Sequence, residues 1–170
     1  MTTALVALVL GVAGCGEEGS DLTNAGEVEI RAIDYAFDGV PRSVPSGTQL
    51  VLTNASDQEF HEMVVVRIDD PQNRPLGQLI DLPSEEIRGL VRRQGVLGAL
   101  PGEDGVRLRG DTSLGEPGRY GLVCFIPVGA DSAAYRALVE AEVPGDVQPP
   151  EVQGGPSHAS RGMLAELTVE

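Results

Sequence analysis

The sequence of 170 residues contains no tryptophan and no lysine, and it has only 2 histidines and 2 cysteines. It is strongly acidic, with 26 Asp and Glu residues against 12 basic residues and a formal net charge of -14. A surface that attracts nucleic acid is therefore not expected, and aromatics at 4% provide no base-stacking platform. With so few histidines and cysteines, the chain can form neither a metal site of three histidines nor a cysteine-rich zinc cluster.

The remaining composition is that of a folded domain. Hydrophobic residues make up 41% of the chain, which is enough for a core, and the length favours one domain. The chain also has 22 glycines and 12 prolines, which favour short strands and many turns over long helices.

The N-terminus has the features of an export signal. Residues 1–14 carry no charge, and the apolar run Ala4–Val12 has the length of a signal-peptide core but is too short to span a bilayer. The run ends in Val12-Ala13-Gly14-Cys15, which resembles the bacterial lipobox, where the cysteine is lipidated and becomes the mature N-terminus. We therefore predict a lipoprotein signal peptide over 1–14 and a lipid-anchored protein on the extracytoplasmic face of the cell membrane. Small polar residues predict a flexible tether over 15–26, which leaves 27–170 as the domain.

Most of this domain shows the alternation of apolar and polar residues that is typical of half-buried strands. Helical spacing of apolar residues predicts short helices over Ser84–Gln94 and Asp131–Glu142. About seven strands with two helical insertions predict an all-β antiparallel β-sandwich. The clearest predicted strands are 28–32, 48–53, 61–68, 105–110, 119–126 and 162–169.

A lipidated Cys15 would leave Cys124 as the one remaining thiol of an exported protein. Three explanations for Cys124 stay open at this point: an inert buried cysteine, a disulfide with Cys15 that would cancel the lipoprotein interpretation, or a metal ligand.

Four residues carry the candidate chemistry: His61, Cys124, His158 and Met163. Each alone has an ordinary explanation as a strand-edge, loop or core residue. Together they place both histidines of the protein around the cysteine, with a methionine following His158 after four intervening residues. Two imidazoles, a thiolate and a weak axial thioether are diagnostic of a blue-copper electron-transfer site. Zinc could occupy the same set of ligands, although a thioether is an uncommon zinc ligand.

The order of several short segments resembles that of the cupredoxins, the type 1 blue-copper proteins of the plastocyanin/azurin superfamily, here in a bacterial lipoprotein form. This resemblance implies a Greek-key β-sandwich with one copper ion at one end. It implies His61, Cys124 and His158 as equatorial ligands and Met163 as the axial ligand. The segments are Tyr35-Ala36-Phe37, Pro45-Ser46-Gly47-Thr48, Asn54-Ala55-Ser56, Phe60-His61-Glu62, Pro117-Gly118-Arg119-Tyr120, Cys124-Phe125 and His158 to Met163.

Two features depart from the family pattern. Familiar cupredoxins place the second histidine a few residues after the cysteine, whereas 33 residues separate Cys124 from His158. This insertion predicts a small subdomain over or beside the copper. Glu62 stands where many members have an asparagine that links the ligand loops, and Glu62, Asn54 and Ser56 are the candidates for that linking role.

The resemblance implies a membrane-tethered carrier of single electrons and not an enzyme. A multicopper oxidase or nitrite reductase would need additional histidines for a second copper centre. The alternative is a metal-free or copper-sequestering cupredoxin-like binding lipoprotein. The excess of acidic residues has two open explanations, steering of a cationic redox partner or solubility of an exported protein.

Overall fold

The computed structural model describes residues 25–170, so the predicted signal peptide, Cys15 and nearly all of the tether lie outside the described residues. No helix in the described range is long and apolar enough to cross a membrane. The strands of this range are β1 (Glu27–Ile33), β2 (Ala36–Asp38), β3 (Ser43–Val44), β4 (Thr48–Asn54), β5 (His61–Ile68), β6 (Val91–Ala99), β7 (Val106–Gly110), β8 (Ser113–Leu114), β9 (Gly118–Val123) and β10 (Leu164–Val169). The α-helices are α1 (Leu76–Ile80), α2 (Ser84–Ile87) and α3 (Arg136–Val139), and 3-10 helices span Ser132–Tyr135 and His158–Arg161.

The strands form two sheets, one with the order β2-β1-β4-β8 and one with the order β3-β10-β9-β5-β6-β7. In the larger sheet, β5, β6 and β7 are consecutive neighbours and β9 returns to lie beside β5. This arrangement of a fourth strand beside the first of three is the Greek key. The predicted all-β Greek-key sandwich with short helical insertions is therefore confirmed, although β1 pairs with β4, and β3 with β10, in parallel.

Buried side chains from both sheets form the main core. Leu50 and Leu52 of β4 meet Met63 and Val65 of β5 in this core. Val64 and Val66 point to the opposite face, where they pack with Leu76 and Leu79 of α1 in a second cluster. Because β5 is covered on both faces, its sequence is a nearly continuous apolar run and not an alternating one.

The predicted helix Ser84–Gln94 is wrong beyond its first turn. The helix α2 ends at Ile87, because Arg88 is extended and Gly89 takes a positive φ of 90°. A glycine at this position is a common helix stop. The chain then enters β6, which the sequence concealed because Gly95 and Gly98 interrupt its strand pattern. A Cβ at Gly95 would collide with the backbone carbonyl of Asp111 beside it.

The predicted helix Asp131–Glu142 is confirmed in its central part. The Asp131 carboxylate accepts a hydrogen bond of 3.0 Å from the Ala133 amide and so caps the 3-10 helix Ser132–Tyr135. The chain continues directly into α3. No sequence pattern predicted α1 or the strands β2, β3 and β8, which have only two or three residues each.

Candidate metal centre

Three of the four predicted ligands come together at one end of the larger sheet. His61 is the first residue of β5, Cys124 directly follows β9, and His158 begins the 3-10 helix after the insertion. The side chains of all three residues are fully buried. Their Nδ1 and Sγ atoms form a group of donors within 4.8 Å of one another.

Backbone hydrogen bonds hold the His158 segment against the cysteine loop. The His158 amide donates to the Ile126 carbonyl at 2.8 Å, and the Ala159 amide donates to the Cys124 carbonyl at 2.8 Å. The Cys124 amide donates to the Met163 carbonyl at 3.3 Å, and the Met163 amide donates to the His158 carbonyl at 3.0 Å. The backbone of residues 158–163 is therefore fixed relative to Cys124.

The donor atoms form a triangle whose size suits a metal ion. The two Nδ1 atoms of His61 and His158 are 3.1 Å apart. The Sγ of Cys124 lies 3.9 Å from the His61 Nδ1 and 3.4 Å from the His158 Nδ1. A triangle with these sides has a circumradius of about 2.0 Å, so one point lies at metal–ligand bonding distance from all three donors. We call these three atoms the donor triangle.

Met163 lies beside this group but its predicted role stays a prediction. The residue is fully buried and belongs to the same core cluster as Cys124. Its backbone is hydrogen-bonded to the backbones of both Cys124 and His158.

Burial sets the protonation of the donors. It lowers the pKa of His61 from 6.5 to about 4, with a further contribution from the neighbouring His158. Burial also lowers the pKa of His158, against the opposing effect of the Glu59 carboxylate. The Cys124 thiol has its pKa raised to about 12 by burial and by the charge of Glu62. Near neutral pH the metal-free site therefore holds neutral imidazoles and a protonated thiol.

Glu62 takes the linking role that the family pattern gives to an asparagine. Its Oε1 accepts a hydrogen bond of 3.1 Å from the Phe125 amide, which joins the first histidine's strand to the cysteine loop. Asn54 and Ser56 instead order the loop that precedes His61. The Asn54 amide donates to the carbonyls of Glu59 and Ala99 at 2.9 and 3.0 Å.

The insertion between Cys124 and His158 packs beside the donor triangle, as the sequence predicted for a subdomain over or beside the site. The ring of Tyr135 stacks on Phe60 with centroids 4.2 Å apart, one residue before His61. The Gly129 amide donates to the Glu59 Oε1 at 3.1 Å, and the Ser132 hydroxyl donates to the Gln58 carbonyl.

Sequence reasoning missed Glu59. One of its carboxylate oxygens, Oε2, lies 3.6 Å from Nε2 of His158, on the side of the ring that faces away from the donor triangle. Tyr35 packs edge-on against the same imidazole at 5.1 Å between centroids. An acidic residue in a polar loop carries no sequence signal for such a contact, because it depends on a histidine 99 positions away.

A groove of about 780 Å³ lies next to the cysteine loop, between the outer face of the larger sheet and the insertion. Phe125, which follows Cys124 in the chain, lines this groove and has 47% of its surface exposed. Val64, Val96 and Leu108 line the sheet side of the groove, with Arg93 and Arg109 also among the lining residues.

No protein-family model matches the sequence, and no curated protein is significantly similar to it. Among solved structures, the chain is similar to the reduced auracyanin of Roseiflexus castenholzii, with 19% identity over 86% of this chain and 98% of that chain and a TM-score of 0.43. It is similar to auracyanin A, a blue copper protein from Chloroflexus aurantiacus, with 16% identity, coverage of 85% and 98%, and a TM-score of 0.41. A multi-copper oxidase from Pediococcus acidilactici has 11% identity and a TM-score of 0.37, covering 100% of this chain and 30% of the oxidase.

Proposed function

We propose that this chain is a type 1 copper protein that carries single electrons. The donor triangle of His61, Cys124 and His158 is the observation on which this proposal depends. Two imidazole nitrogens and one thiol are fully buried here and spaced for one ion. Metal binding explains this arrangement better than core packing does.

The chemistry of the donors favours copper. Thiolate suits Cu(I), and imidazole suits both oxidation states, so the set is compatible with a reversible couple. Met163, fully buried and bonded through its backbone to two of the ligand residues, is the proposed weak axial ligand. A bound copper ion would supply the one-electron Cu(II)/Cu(I) couple.

The protein's own contribution is to keep this site dry and rigid. The three donor residues have no exposed surface, so bulk water is excluded. Backbone hydrogen bonds between residues 158–163 and the cysteine loop fix the donor positions before any ion arrives. A site fixed in this way needs little rearrangement when its charge changes, which favours fast electron transfer.

The inventory of residues favours a carrier over a copper enzyme. Both histidines of the whole sequence belong to the donor triangle. A second copper centre that activates a substrate would need further imidazoles, which this chain lacks.

We propose that electrons leave through the cysteine side of the site. The edge of His158 that faces away from the donors is covered by Glu59 and Tyr35, and the residue has no exposed surface. Phe125, adjacent to Cys124 in the chain, is 47% exposed and lines the groove. A redox partner that contacts Phe125 would come within one residue of a metal ligand.

The cellular setting is part of the same proposal. The lipobox-like segment ending at Cys15 supports export and a lipid anchor on the extracytoplasmic face of the membrane. The net charge of -14 supports steering of a cationic redox partner over long range.

A spectroscopic titration tests the copper assignment. Addition of Cu(II) to the purified protein should produce an intense visible thiolate-to-copper band with one copper per chain, and Cys124→Ser should abolish it. Val123→Ala is the matched control, because Val123 is equally buried but packs on the opposite face of the sheet. The control should keep the band.

Two other outcomes would redirect the assignment. A protein that holds one copper per chain as Cu(II) and is still colourless would refute a type 1 site. A coloured protein that does not cycle reversibly between Cu(II) and Cu(I) would identify the alternative, a copper-sequestering module, because a carrier must return to its starting state.

A further inference from the structure

Two buried polar atoms face each other just outside the donor triangle. They are Nε2 of His158 and Oε2 of Glu59, at a separation of 3.6 Å. Neither atom has a hydrogen-bond partner among the described residues. A buried polar atom without a hydrogen-bond partner is unfavourable. Here a ring nitrogen that can donate faces a carboxylate oxygen that can accept. A shift of a few tenths of an ångström converts this contact into a hydrogen bond.

The Glu59 carboxylate is aimed by the loop that carries it. Its other oxygen accepts from the Gly129 amide at 3.1 Å, so the insertion holds one end of the carboxylate. The Glu59 amide donates to the Ser56 hydroxyl at 3.1 Å, and the Glu59 carbonyl accepts from the Asn54 side chain at 2.9 Å. With the backbone and one oxygen fixed, the second oxygen stays directed at His158.

This contact has a chemical consequence because a neutral imidazole has only one N–H. A proton on the His158 Nε2, opposite the carboxylate, leaves a lone pair on Nδ1. The Nδ1 atom of His158 lies 3.4 Å from Sγ of Cys124 and 3.1 Å from Nδ1 of His61. Metal-binding histidines are commonly oriented by such a carboxylate on the second ring nitrogen.

We propose that Glu59 is a positioning residue that holds His158 in the tautomer with Nε2–H, so that its Nδ1 is presented to the donor triangle as a metal ligand. As a statement about a metal ligand, it rests on the proposed function. His61 provides an internal contrast, because its Nε2 is also buried but has no carboxylate or other partner among the described residues.

The metal-free protein provides the first test. Long-range ¹H–¹⁵N spectra of the two imidazoles, recorded where both are neutral, should show His158 as one tautomer with its proton on Nε2. In Glu59→Gln and Glu59→Ala this single tautomer should be lost, while the His61 signals keep their pattern. Glutamine keeps the size of the side chain but has only one carbonyl oxygen. It therefore cannot accept from both the Gly129 amide and the His158 Nε2–H, as the two carboxylate oxygens of Glu59 can.

The second test uses Cu(II) itself. Loss of an orienting partner commonly weakens metal binding by about 10–100-fold, and we expect this range for Glu59→Ala. The reduction potential should rise in Glu59→Gln. The carboxylate charge favours Cu(II) over Cu(I), and the neutral glutamine removes that preference. Glu85→Ala removes an exposed carboxylate from α2 and is the charge-matched control, with no change expected in tautomer, affinity or potential.

The outcomes are separable. A wild-type His158 protonated on Nδ1, or a tautomer unchanged in both Glu59 variants, overturns the positioning role whether or not copper binds. A correct tautomer in a protein that forms no coloured copper complex leaves the positioning role in place and refutes the proposed function. Far-UV circular dichroism establishes whether each variant is folded. If Glu59→Ala does not fold, the test is carried out on Glu59→Gln alone.

Discussion

At the scale of single residues, burial keeps His61, Cys124 and His158 uncharged in the metal-free protein. The thiol pKa is raised to about 12 and the His61 pKa is lowered to about 4, so neither group is ionised near neutral pH. A metal ion that binds Cys124 as thiolate must therefore displace a proton, and metal uptake becomes less favourable as the pH falls. The same burial makes protein stability depend on pH.

His61 should make the metal-free protein less stable in mild acid. The unfolded chain binds a proton near pH 6.5, whereas the folded chain resists protonation until about pH 4. The unfolded state therefore holds more protons in this window, and the free energy of unfolding decreases as the pH falls through it, by about 3 kcal/mol in total. The contribution is fully present above pH 6.5 and is lost as the pH falls to about 4.

Denaturant unfolding at several pH values between 7 and 4 measures this dependence. His61→Gln lacks the titrating ring and should show a shallower decrease in unfolding free energy than the wild type. Equal pH slopes for the two proteins would contradict the assignment to His61.

Phe125 should affect electron exchange without affecting the metal. Phe125→Ala removes the exposed ring beside Cys124, and an aromatic at the centre of an interface is commonly worth 1–2 kcal/mol or more. We expect the rate of electron transfer to a small redox protein to fall by about tenfold, with the visible copper band unchanged. Val143→Ala, which truncates an apolar residue that is 53% exposed, is the control. A rate that falls equally in both variants would argue against the proposed exit.

At the scale of elements, β5 and β9 separate two environments. Cys124, at the end of β9, belongs to the core between the sheets. Val123, its neighbour, belongs to the outer cluster beneath α1. Successive side chains of a strand point to opposite faces, so the donor side chains lie in one environment and α1 lies in the other. Ala159, which follows His158, is a residue of the ligand segment that packs in the outer cluster.

This separation predicts that Leu79→Ala destabilises the fold but spares the metal site. Leu79 of α1 is fully buried, and truncation of such a leucine lowers the free energy of unfolding by about 2–5 kcal/mol. Chemical denaturation should show this loss, and the copper band of the folded variant should match that of the wild type. Ile80→Ala, which truncates a partly buried neighbour, should have a smaller effect. A changed copper spectrum in Leu79→Ala would show that the two faces are coupled.

At the scale of the whole molecule, acidic residues outnumber basic residues. Arg67, Asp69, Arg92 and Glu116 form a cluster of ion pairs at 2.8 to 3.9 Å, so part of the basic charge is neutralised locally. The net charge of -14 still gives the surface a long-range negative potential. A lipid anchor would hold this acidic domain at a membrane surface.

Cys15 should decide where the protein resides in the cell. In a bacterial host, the wild-type chain should fractionate with membranes, and mass spectrometry should find a lipid on Cys15. The Cys15→Ser variant should be lost from the membrane fraction. The Cys124→Ser variant, which keeps Cys15, is the control and should remain in the membrane fraction. Recovery of Cys15→Ser with membranes in wild-type amounts would contradict the predicted anchor.

Local patterns were sufficient to predict several strands and to single out the three side chains that meet in the donor triangle. The alternation in β1 and β4 and the continuous apolar run of β5 are local patterns that can be read in the sequence. The strand β6 was not legible, because Gly95 and Gly98 are required by close approaches of other segments and carry no local strand preference.

The sequence by itself determined the β-sandwich class, the acidic charge and the set of His61, Cys124 and His158. Tertiary structure decided their meeting in one triangle, since His61 and His158 are 97 positions apart and only the Greek-key path brings their Nδ1 atoms within 3.1 Å. It also decided that Glu62 links the two ligand segments and that Glu59 faces His158. Such contacts depend on the separation of two chain segments in space, and residue order does not encode that separation locally.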